Sequence, residues 1–242
     1  MAAIVTGGGA GIGAATAALL TAHGARVAVL DVAAPTSGDE HLHVQADVTD
    51  RDAVDTAVAR VIDEFGHLDI LVNNAGIGAT GDVAATTDDE WHRLVDVNVI
   101  GMARVTAACL PHLRRSDHAA IVNTSSIVAI LGVPQRAAYA ASKGAVLSMT
   151  LAMAADYVHE GIRVNAVAPG TTDTPWIGRL LADADDPDAA REALRARQPL
   201  GRLVSAEEVA HAIVSLASPA AASTTGTILT VDGGMGSLRL PS

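Results

Sequence analysis

The chain has 242 residues, half of them apolar, and a formal net charge of −11 at pH 7. This apolar content excludes global disorder, and the acidic balance argues against nucleic acid or an anionic membrane as partner, because both require basic surfaces. A single cysteine, Cys109, excludes a disulfide framework and a thiolate metal cluster and favours a reducing compartment. We therefore expect a cytoplasmic protein with no signal peptide and no uninterrupted membrane-spanning run.

Short apolar runs alternate with longer helical patterns along the whole chain. The predicted strands are β-branched or Leu-rich and too short for helices: 3–6, 26–31, 43–46, 70–73, 119–124, 163–168 and 227–231. The predicted helices cover 12–23, 51–65, 88–113, 137–160 and 206–215. This alternation indicates right-handed βαβ crossovers. The sequence therefore predicts an α/β fold, a single-domain doubly wound Rossmann fold over 1–242, with about seven parallel strands and helices on both faces.

Two connections depart from this pattern. Residues 32–42, which separate the second and third strands, contain Pro35 and Gly38 and predict a loop in place of a helix. Residues 171–203 form a long excursion after the sixth strand. An insertion at the carboxyl end of a strand overhangs the ligand crevice of an open α/β sheet, which favours a substrate lid over a solvated helical hairpin.

A glycine-rich loop follows the first predicted strand and opens the first helix. Its sequence is Thr6-Gly7-Gly8-Gly9-Ala10-Gly11-Ile12-Gly13, with the spacing G-x-x-x-G-x-G. Glycine permits the tight turn and the close approach of backbone to pyrophosphate, which then meets free N–H groups at the helix N-terminus. A glycine turn alone is compatible with an ordinary turn, but the strand–loop–helix context predicts a dinucleotide site.

Asp31 ends the second predicted strand, at the position where a side chain can distinguish NAD from NADP. A carboxylate there can accept hydrogen bonds from the ribose hydroxyls of NAD and repels the 2′-phosphate of NADP. No Arg or Lys follows in residues 32–41 to balance that phosphate. We therefore predict NAD as cofactor; the alternative use of Asp31 is an ordinary turn or N-cap.

Ser126, Tyr139 and Lys143 form the candidate catalytic set. Tyr139 and Lys143 are four residues apart on a predicted helix and hence share a face. Free tyrosine has a pKa of about 10, and lowering it by about three units requires about 4 kcal/mol of charge stabilisation. A lysine ammonium and a nicotinamide cation can supply it. Such pairs also occur on exposed helices, but together with the glycine loop this one predicts a nicotinamide-dependent oxidoreductase.

These motifs, in this order, resemble those of the short-chain dehydrogenase/reductases over nearly all of the chain. The further matching segments are Asp47-Val48, Asn73-Asn74-Ala75-Gly76, Asn98, and Pro169-Gly170 with Thr174. The resemblance implies that Tyr139 is the general base, that Ser126 binds the reacting oxygen and that Lys143 lowers the phenol pKa. It also implies that Asn98 kinks its helix around a water connecting Lys143 to solvent.

The resemblance further implies where the cofactor lies. Asp47 and Val48 flank the adenine, Asn74 to Gly76 line the cofactor, and Thr174 reaches the nicotinamide amide. The full set of cofactor positions is Gly7, Gly9, Gly11, Ile12, Gly13, Asp31, Asp47, Val48, Asn74, Ala75, Gly76, Tyr139, Lys143, Pro169, Gly170, Thr172 and Thr174. No metal site is expected, because the histidines and the aspartates near 185 lack ligand spacing.

The second half of the chain is similar to a subgroup acting on small carboxylates, the 2-keto-3-deoxy-sugar-acid and cytosolic 3-hydroxybutyrate-dehydrogenase-like enzymes. In that subgroup arginines grip the substrate carboxylate. Arg136 and Arg197 match two such positions, and Arg179 lies beside the third, which Leu180 occupies. The alternative for any one of these arginines is a surface salt bridge.

These features lead to a prediction of an NAD-dependent dehydrogenase that takes a small-molecule substrate. The alternatives are a 3-oxoacyl-[acyl carrier protein] reductase and, more remotely, a non-catalytic dinucleotide-binding protein on the same fold. The helix at 137–153 is apolar or small around most of its circumference, which requires burial on two sides. The family assembles through this helix, and we expect a homotetramer.

Overall fold

One parallel sheet of seven strands organises the computed structural model, which describes residues 1–33, 40–182 and 184–240. Its strands are β1 (Ala2–Thr6), β2 (Arg26–Asp31), β3 (Leu42–Gln45), β4 (Ile70–Asn73), β5 (Ala120–Thr124), β6 (Arg163–Pro169) and β9 (Ile228–Val231). They pair in the order β3-β2-β1-β4-β5-β6-β9. Two short strands, β7 (Thr172–Asp173) and β8 (Val204–Ser205), pair with each other beside the main sheet.

Helices cover both faces of the sheet. They are α1 (Gly11–Ala22), α2 (Arg51–Phe65), α3 (Asp88–Val95), α4 (Met102–Leu113), α5 (Ala137–Tyr157), α6 (Pro175–Ala182), α7 (Pro187–Ala196) and α8 (Ala206–Ala217). A π-helical turn, Asp96–Gly101, joins α3 to α4, and one-turn 3-10 helices cover Ile127–Ala129, Val158–Glu160 and Pro219–Ala221. The predicted doubly wound Rossmann architecture is confirmed, and the predicted strand ends agree to within one residue.

Alternate residues of each central strand enter different cores, which explains the continuous apolar runs. In β1, Ile4 belongs to the core that includes Val58 of α2 and Cys109 of α4. Its neighbour Val5 belongs to the core that includes Leu20 of α1 and Ile213 of α8. Both strand residues are fully buried. The two helical layers therefore pack against opposite faces of the sheet and fix the positions of the loops at its carboxyl edge.

The prediction of one continuous helix over 88–113 is wrong in one respect. The π-helical turn interrupts the α-helix at Asp96–Gly101, around the buried Asn98. This stretch, Asp88–Leu113, is the one among the described residues long and apolar enough to span a membrane by length and composition. A core helix of a folded protein can have the same length and composition. Val105 and Leu113 of this stretch are fully buried in the core beside the sheet, as in such a helix.

The two predicted irregular connections differ in outcome. Residues 34–39 of the predicted loop at 32–42 lie outside the described residues. The excursion at 171–203 contains α6 and α7, which pack together through Ile177, Leu181 and Leu194. It is therefore a helical hairpin with a small core of its own, placed after β6 at the carboxyl edge of the sheet. We call α6 and α7, with Arg197 that ends α7, the lid; its role over the substrate stays a prediction.

Candidate active site

A continuous cavity of about 1600 Å³ lies at the carboxyl ends of the central strands. The strand order reverses between β1 and β4, which is where ligands bind in open α/β sheets. Residues from the loops after β1, β2, β4, β5 and β6, from α5 and from the lid share its lining. Three predicted site residues, Gly9, Gly13 and Asn98, do not line this cavity. Each instead packs behind residues that do, as described below.

The glycine loop forms a cradle with no room for side chains. Gly7 has φ +62°, and a Cβ there would lie 2.9 Å from the Cα of Ala75. A Cβ on Gly13 would overlap the carbonyl oxygen of Gly7, so Gly13 packs α1 directly beneath the loop. No side chain of the described residues caps the N-terminus of α1 at Ala10, so its first N–H groups remain available. The cradle thus fits the pyrophosphate of a dinucleotide.

Asp31 lies beside this cradle, at the end of β2. Its Oδ2 accepts a hydrogen bond from Gly9 N at 2.9 Å, and its Oδ1 accepts one from Ala33 N at 3.0 Å. These two bonds hold the carboxylate in the cavity wall, next to Val32 and Leu30. Gly9 therefore acts as a support for Asp31. Asp47 and Val48, the predicted adenine neighbours, line the same end of the cavity.

The loops after β1 and β4 are tied together where the strand order reverses. The Thr6 hydroxyl oxygen accepts from the backbone N–H groups of Asn74 and Ala75, both at 3.0 Å. In return the Asn74 amide donates to the carbonyl oxygens of Thr6 and Gly7, at 3.2 and 3.1 Å. The two cofactor-facing loops therefore form one rigid unit. Thr6 was not predicted as a site residue, although it opens the glycine motif.

Asn98 supports the next residues of the β4 loop from the π-helical turn. Its Oδ1 accepts from Ile77 N at 2.8 Å, and its Nδ2 donates to Ile77 O at 2.9 Å and to Ser142 Oγ at 3.0 Å. A Cβ on Gly76 would lie 3.1 Å from Asn98 Oδ1 and 3.2 Å from Lys143 Nζ. The absence of a side chain at Gly76 thus lets Asn98 and Lys143 approach the same point.

Ser126, Tyr139 and Lys143 all line the cavity. Burial among the surrounding atoms raises the pKa of Tyr139, while the neighbouring Ser126 hydroxyl and the charge of Arg136 lower it. Lys143 Nζ lies 6.0 Å from the centre of the Tyr139 ring and donates to the carbonyl oxygen of Thr124 at 2.9 Å. Burial lowers the pKa of Lys143 to about 8.

The charge environment of Tyr139 therefore differs from the sequence-based expectation. The phenol pKa was expected to be lowered by Lys143, but burial is the largest influence and holds the pKa of Tyr139 above its usual value; Ser126 and Arg136 oppose that rise, and Lys143 does not contribute. Two supports of Lys143 were also missed, because they are tertiary contacts: Thr124 at the end of β5, and Ser125, whose hydroxyl donates to the Lys143 carbonyl oxygen at 2.8 Å.

Arg136 is built into the cavity wall and does not form a surface salt bridge. Its Nη1 donates to Ala79 O at 2.7 Å and to Thr80 Oγ1 at 2.9 Å. The residue before it, Gln135, has φ +59° and is the one non-glycine residue of the described chain in the left-handed region. This strained turn lets Arg136 pair with Gly81 in an isolated β-bridge. Strain at this position is typical of a functional site.

All three predicted substrate arginines line the cavity. Arg179 and Arg197 lie on the lid and are exposed, whereas Leu180, which replaces the expected arginine, packs against the lid core. Burial lowers the pKa of Arg136, and the charge of Arg197 lowers it further. None of the ion pairs formed among the described residues involves Arg136 or Arg197. The lid therefore brings a second positive charge towards Arg136.

The start of α6 and the residue before it lie against the cofactor end of the cavity. Thr174 and Pro175 contact the glycine loop, since a Cβ on Gly11 would lie 3.2 Å from the Thr174 methyl group. Pro169, Gly170 and Thr172, all predicted cofactor positions, line the cavity before the lid begins. Trp176 lines it too and was not predicted, although a tryptophan directly after Thr174-Pro175 is a visible signal in a chain with two.

Comparison with known proteins places the whole chain in one family. A family model described as enoyl-(acyl carrier protein) reductase matches residues 7–236. Cis-4-hydroxycyclohexanecarboxylate dehydrogenase of Sinomonas cyclohexanicum is 43% identical over 247 residues, which cover 96% of this chain and 95% of that protein. The 3-oxoacyl-[acyl-carrier-protein] reductase of Thermotoga maritima is 37% identical over 242 residues, 96% of each chain.

The fold of the chain is also similar to those of solved structures. Ligand-free aldohexose dehydrogenase of Thermoplasma acidophilum superposes with a TM-score of 0.93 at 34% identity, covering 100% of this chain and 97% of that one. The named relatives include dehydrogenases and reductases that act on hydroxyl or ketone groups. With the dinucleotide cradle, the Ser126, Tyr139 and Lys143 set and these matches, the chain belongs to the short-chain dehydrogenase/reductases, oxidoreductases that use a nicotinamide dinucleotide.

Proposed function

We propose that the protein is an NAD-dependent dehydrogenase that oxidises the secondary hydroxyl of a small carboxylate-bearing substrate. The observation that carries this proposal is Arg136, a guanidinium fixed in the cavity wall three residues before Tyr139. Nη1 is the one Arg136 nitrogen that donates to described residues; Nη2 and Nε are left for a ligand. That free edge of the fork matches the two oxygens of a carboxylate.

The chemistry follows from the positions of Tyr139, Ser126 and Lys143. The Tyr139 phenolate takes the hydroxyl proton of the substrate, and the Ser126 hydroxyl donates a hydrogen bond to the oxygen that becomes a carbonyl. Lys143, protonated below its pKa of about 8, contributes positive charge beneath the site. A dinucleotide held by the glycine loop and Asp31 would supply the acceptor for the hydride from the carbon that bears the hydroxyl. The products are a ketone, the reduced cofactor and a proton.

The choice of NAD over NADP is supported by the geometry of Asp31. Its carboxylate is fixed beside the glycine loop by Gly9 N and Ala33 N, where a 2′-phosphate would meet negative charge. Residues 7–13 and 32–41 contain no Arg or Lys that would offset this charge. We expect NAD to exceed NADP at least tenfold in kcat/KM, about 1.4 kcal/mol. Asp31→Ala should reduce that ratio, and equal use of both cofactors by the wild type would refute the assignment.

The carboxylate substrate is supported by charge and by similarity. Besides burial, the positive charge of Arg197 lowers the pKa of Arg136, and neither arginine is paired with a carboxylate of the described residues. Two neighbouring positive charges without such a partner favour the binding of an anion. The relative from Sinomonas cyclohexanicum is named for a hydroxy acid, 4-hydroxycyclohexanecarboxylate. A short hydroxy acid such as 3-hydroxybutyrate, or a 2-keto-3-deoxy-sugar acid, presents the same two groups.

The test compares acids with a neutral alcohol. Losing one partner of a buried charged pair costs about 2–5 kcal/mol, so Arg136→Met should lower kcat/KM for a hydroxy acid by about thirtyfold or more, and Arg197→Met, at an exposed position, should lower it by less. Oxidation of cyclohexanol, compared at a pH above the rising limb of each variant's pH profile, should change little. Arg191→Met provides a matched control, because Arg191 is exposed on α7 and does not line the cavity. Preference for the neutral alcohol, with both variants unimpaired, would refute the carboxylate assignment.

Reduction of a carrier-bound 3-oxoacyl chain is the second candidate function. The relative from Thermotoga maritima carries that name, and the matching family model is described as enoyl-(acyl carrier protein) reductase, which names another carrier-bound chain. In this case the lid arginines would face an acidic carrier protein instead of a small acid. Reduction of an acetoacetyl thioester more efficient than that of any free keto acid would favour this function.

A further inference from the structure

Trp176 connects the lid to the opposite wall of the cavity. It is the second residue of α6, and its indole packs so closely on Gly78 that a Cβ on Gly78 would overlap it. The Arg136 Cζ lies 5.9 Å from the centre of an indole ring, within the range of a cation–π interaction. The indole therefore contacts both the loop after β4 and the guanidinium next to the reacting tyrosine.

Part of the cavity lining close in the chain to Ser126, Arg136 and Trp176 is apolar. Ile127 and Val128 follow Ser126, Val133 precedes Arg136 by three residues, and Ile177 follows Trp176; all four line the cavity. A substrate hydroxyl placed against such side chains would lose water and gain no partner. Polyhydroxy acids are therefore poorly matched to this surface. Beside Tyr139, the Ser126 hydroxyl accounts for one substrate hydroxyl, and Arg136, with the charge of Arg197 acting on it, accounts for one carboxylate.

The spacing of these polar groups limits the size of the substrate. Arg136 is the N-cap of α5 and Tyr139 lies in its first turn, and the charge of Arg136 is close enough to the phenol to act on it. A carboxylate on Arg136 and a hydroxyl at Tyr139 thus belong to a compact molecule. The flat indole beside them offers more apolar surface than a short chain can cover, and an apolar ring covers it better.

We propose that Trp176 is a specificity-determining residue, and that it selects alicyclic hydroxy acids over polyhydroxy sugar acids. This proposal rests on the proposed function and narrows it: the carboxylate binds Arg136, and the ring between carboxylate and hydroxyl packs on the Trp176 indole. Gly78 contributes to this selection, because any side chain at position 78 would displace the Trp176 indole.

Steady-state kinetics with NAD test the selection. The substrates are 4-hydroxycyclohexanecarboxylate, 3-hydroxybutyrate, 2-keto-3-deoxygluconate and cyclohexanol. We expect the wild type to prefer the ring acid at least tenfold in kcat/KM. Trp176→Ala should lower kcat/KM for the ring acid at least tenfold and that for the sugar acid less than threefold. Trp176→Phe, which keeps a flat apolar ring, should remain within about threefold of wild type for the ring acid.

Binding measured without turnover provides an independent readout. In a Trp91→Phe background Trp176 is the single tryptophan of the chain. Cyclohexanecarboxylate, which lacks the reacting hydroxyl, should change Trp176 emission saturably in the presence of NAD, and Arg136→Met should abolish the change. Constant emission at concentrations that inhibit turnover would overturn the role of Trp176.

The kinetic outcomes distinguish the proposed role of Trp176 from the proposed carboxylate substrate. A wild type that prefers the sugar acid, with Arg136→Met impaired, would overturn the role of Trp176 and leave the carboxylate assignment standing. A wild type that prefers cyclohexanol to every acid would overturn both. Since the wild-type comparison needs no variant, the proposal stays testable even if Trp176→Ala does not fold.

Discussion

Asn98 and Ile77 are joined by two hydrogen bonds that lock a π-helical turn to a cavity loop. The Asn98 carboxamide accepts from Ile77 N at 2.8 Å and donates to Ile77 O at 2.9 Å. An amide side chain carries both the acceptor and the donor that these two backbone groups require. The π-helical turn between α3 and α4 therefore has a structural role, because it directs the Asn98 side chain towards the loop that also carries Gly76.

Removing the Asn98 side chain should weaken both the fold and the site. Asn98→Ala leaves the partly buried Ile77 groups and the buried Ser142 Oγ without this partner, so we expect a loss of about 1–3 kcal/mol in the free energy of unfolding. Urea unfolding measures the loss, and titration of NADH fluorescence should show weaker cofactor binding because the Gly76–Ile77 loop is released. Unchanged stability and unchanged affinity would refute this role of Asn98.

The pH dependence of oxidation should report the neighbours of Tyr139. The base acts when deprotonated, so the rate rises with pH through the pKa of Tyr139. Ser126 and Arg136 both lower that pKa. Ser126→Ala and Arg136→Met should therefore each move the rising limb to higher pH, measured as kcat/KM for neutral cyclohexanol. A limb that stays in place or moves to lower pH would contradict the assignment, and Arg191→Met should not move it.

The N-terminus of α8 should contribute acid-sensitive stability. Glu208 accepts from Arg202 and from Ser205 N, while Ser205 Oγ accepts from Glu208 N, and these bonds lower the pKa of Glu208 to about 2. A lowered pKa gives stability that is complete above the unfolded-state pKa of about 4.3 and is lost as pH falls towards 2.

Glu208→Gln tests this contribution. The pair is partly exposed and screened by solvent, so we expect a loss of about 1 kcal/mol at pH 7. The difference between variant and wild type should shrink as the pH falls from about 4.5 to about 2. A difference that is independent of pH in urea unfolding would show that the charge of Glu208 has no part in it.

Local patterns were sufficient for most of the fold. The helix Arg51–Phe65 has its predicted bounds, because Asp50 caps its start and Gly66 ends it in the left-handed region. The two-residue strands Thr172–Asp173 and Val204–Ser205 were missed, since pairing between distant segments creates them and no periodicity marks them. The resemblance implied the interruption at Asn98, but its π-helical form was not predicted, because Asn98 acts through a contact with Ile77 that lies 21 residues away.

The site shows the same division between local pattern and tertiary contact. The glycine loop, Asp31, Tyr139 and Lys143 are readable because spacing along one strand–loop–helix or one helix face carries their chemistry. The fixed position of Arg136 depends instead on Ala79 and Thr80, more than fifty residues earlier in the chain. No pattern around Arg136 reveals that contact, so the sequence could not distinguish a carboxylate ligand from a surface arginine.

Tyr139→Phe gives the most direct test of the central claim, that this cavity oxidises alcohols with Tyr139 as the base. The change removes the proton acceptor and keeps the aromatic ring, and general-base catalysis contributes about 10²–10⁴-fold to rate. We predict that kcat for the best substrate falls at least a hundredfold while the Kd of NAD, measured by calorimetry, stays within about threefold. A variant that retains a tenth of the wild-type kcat would contradict the account.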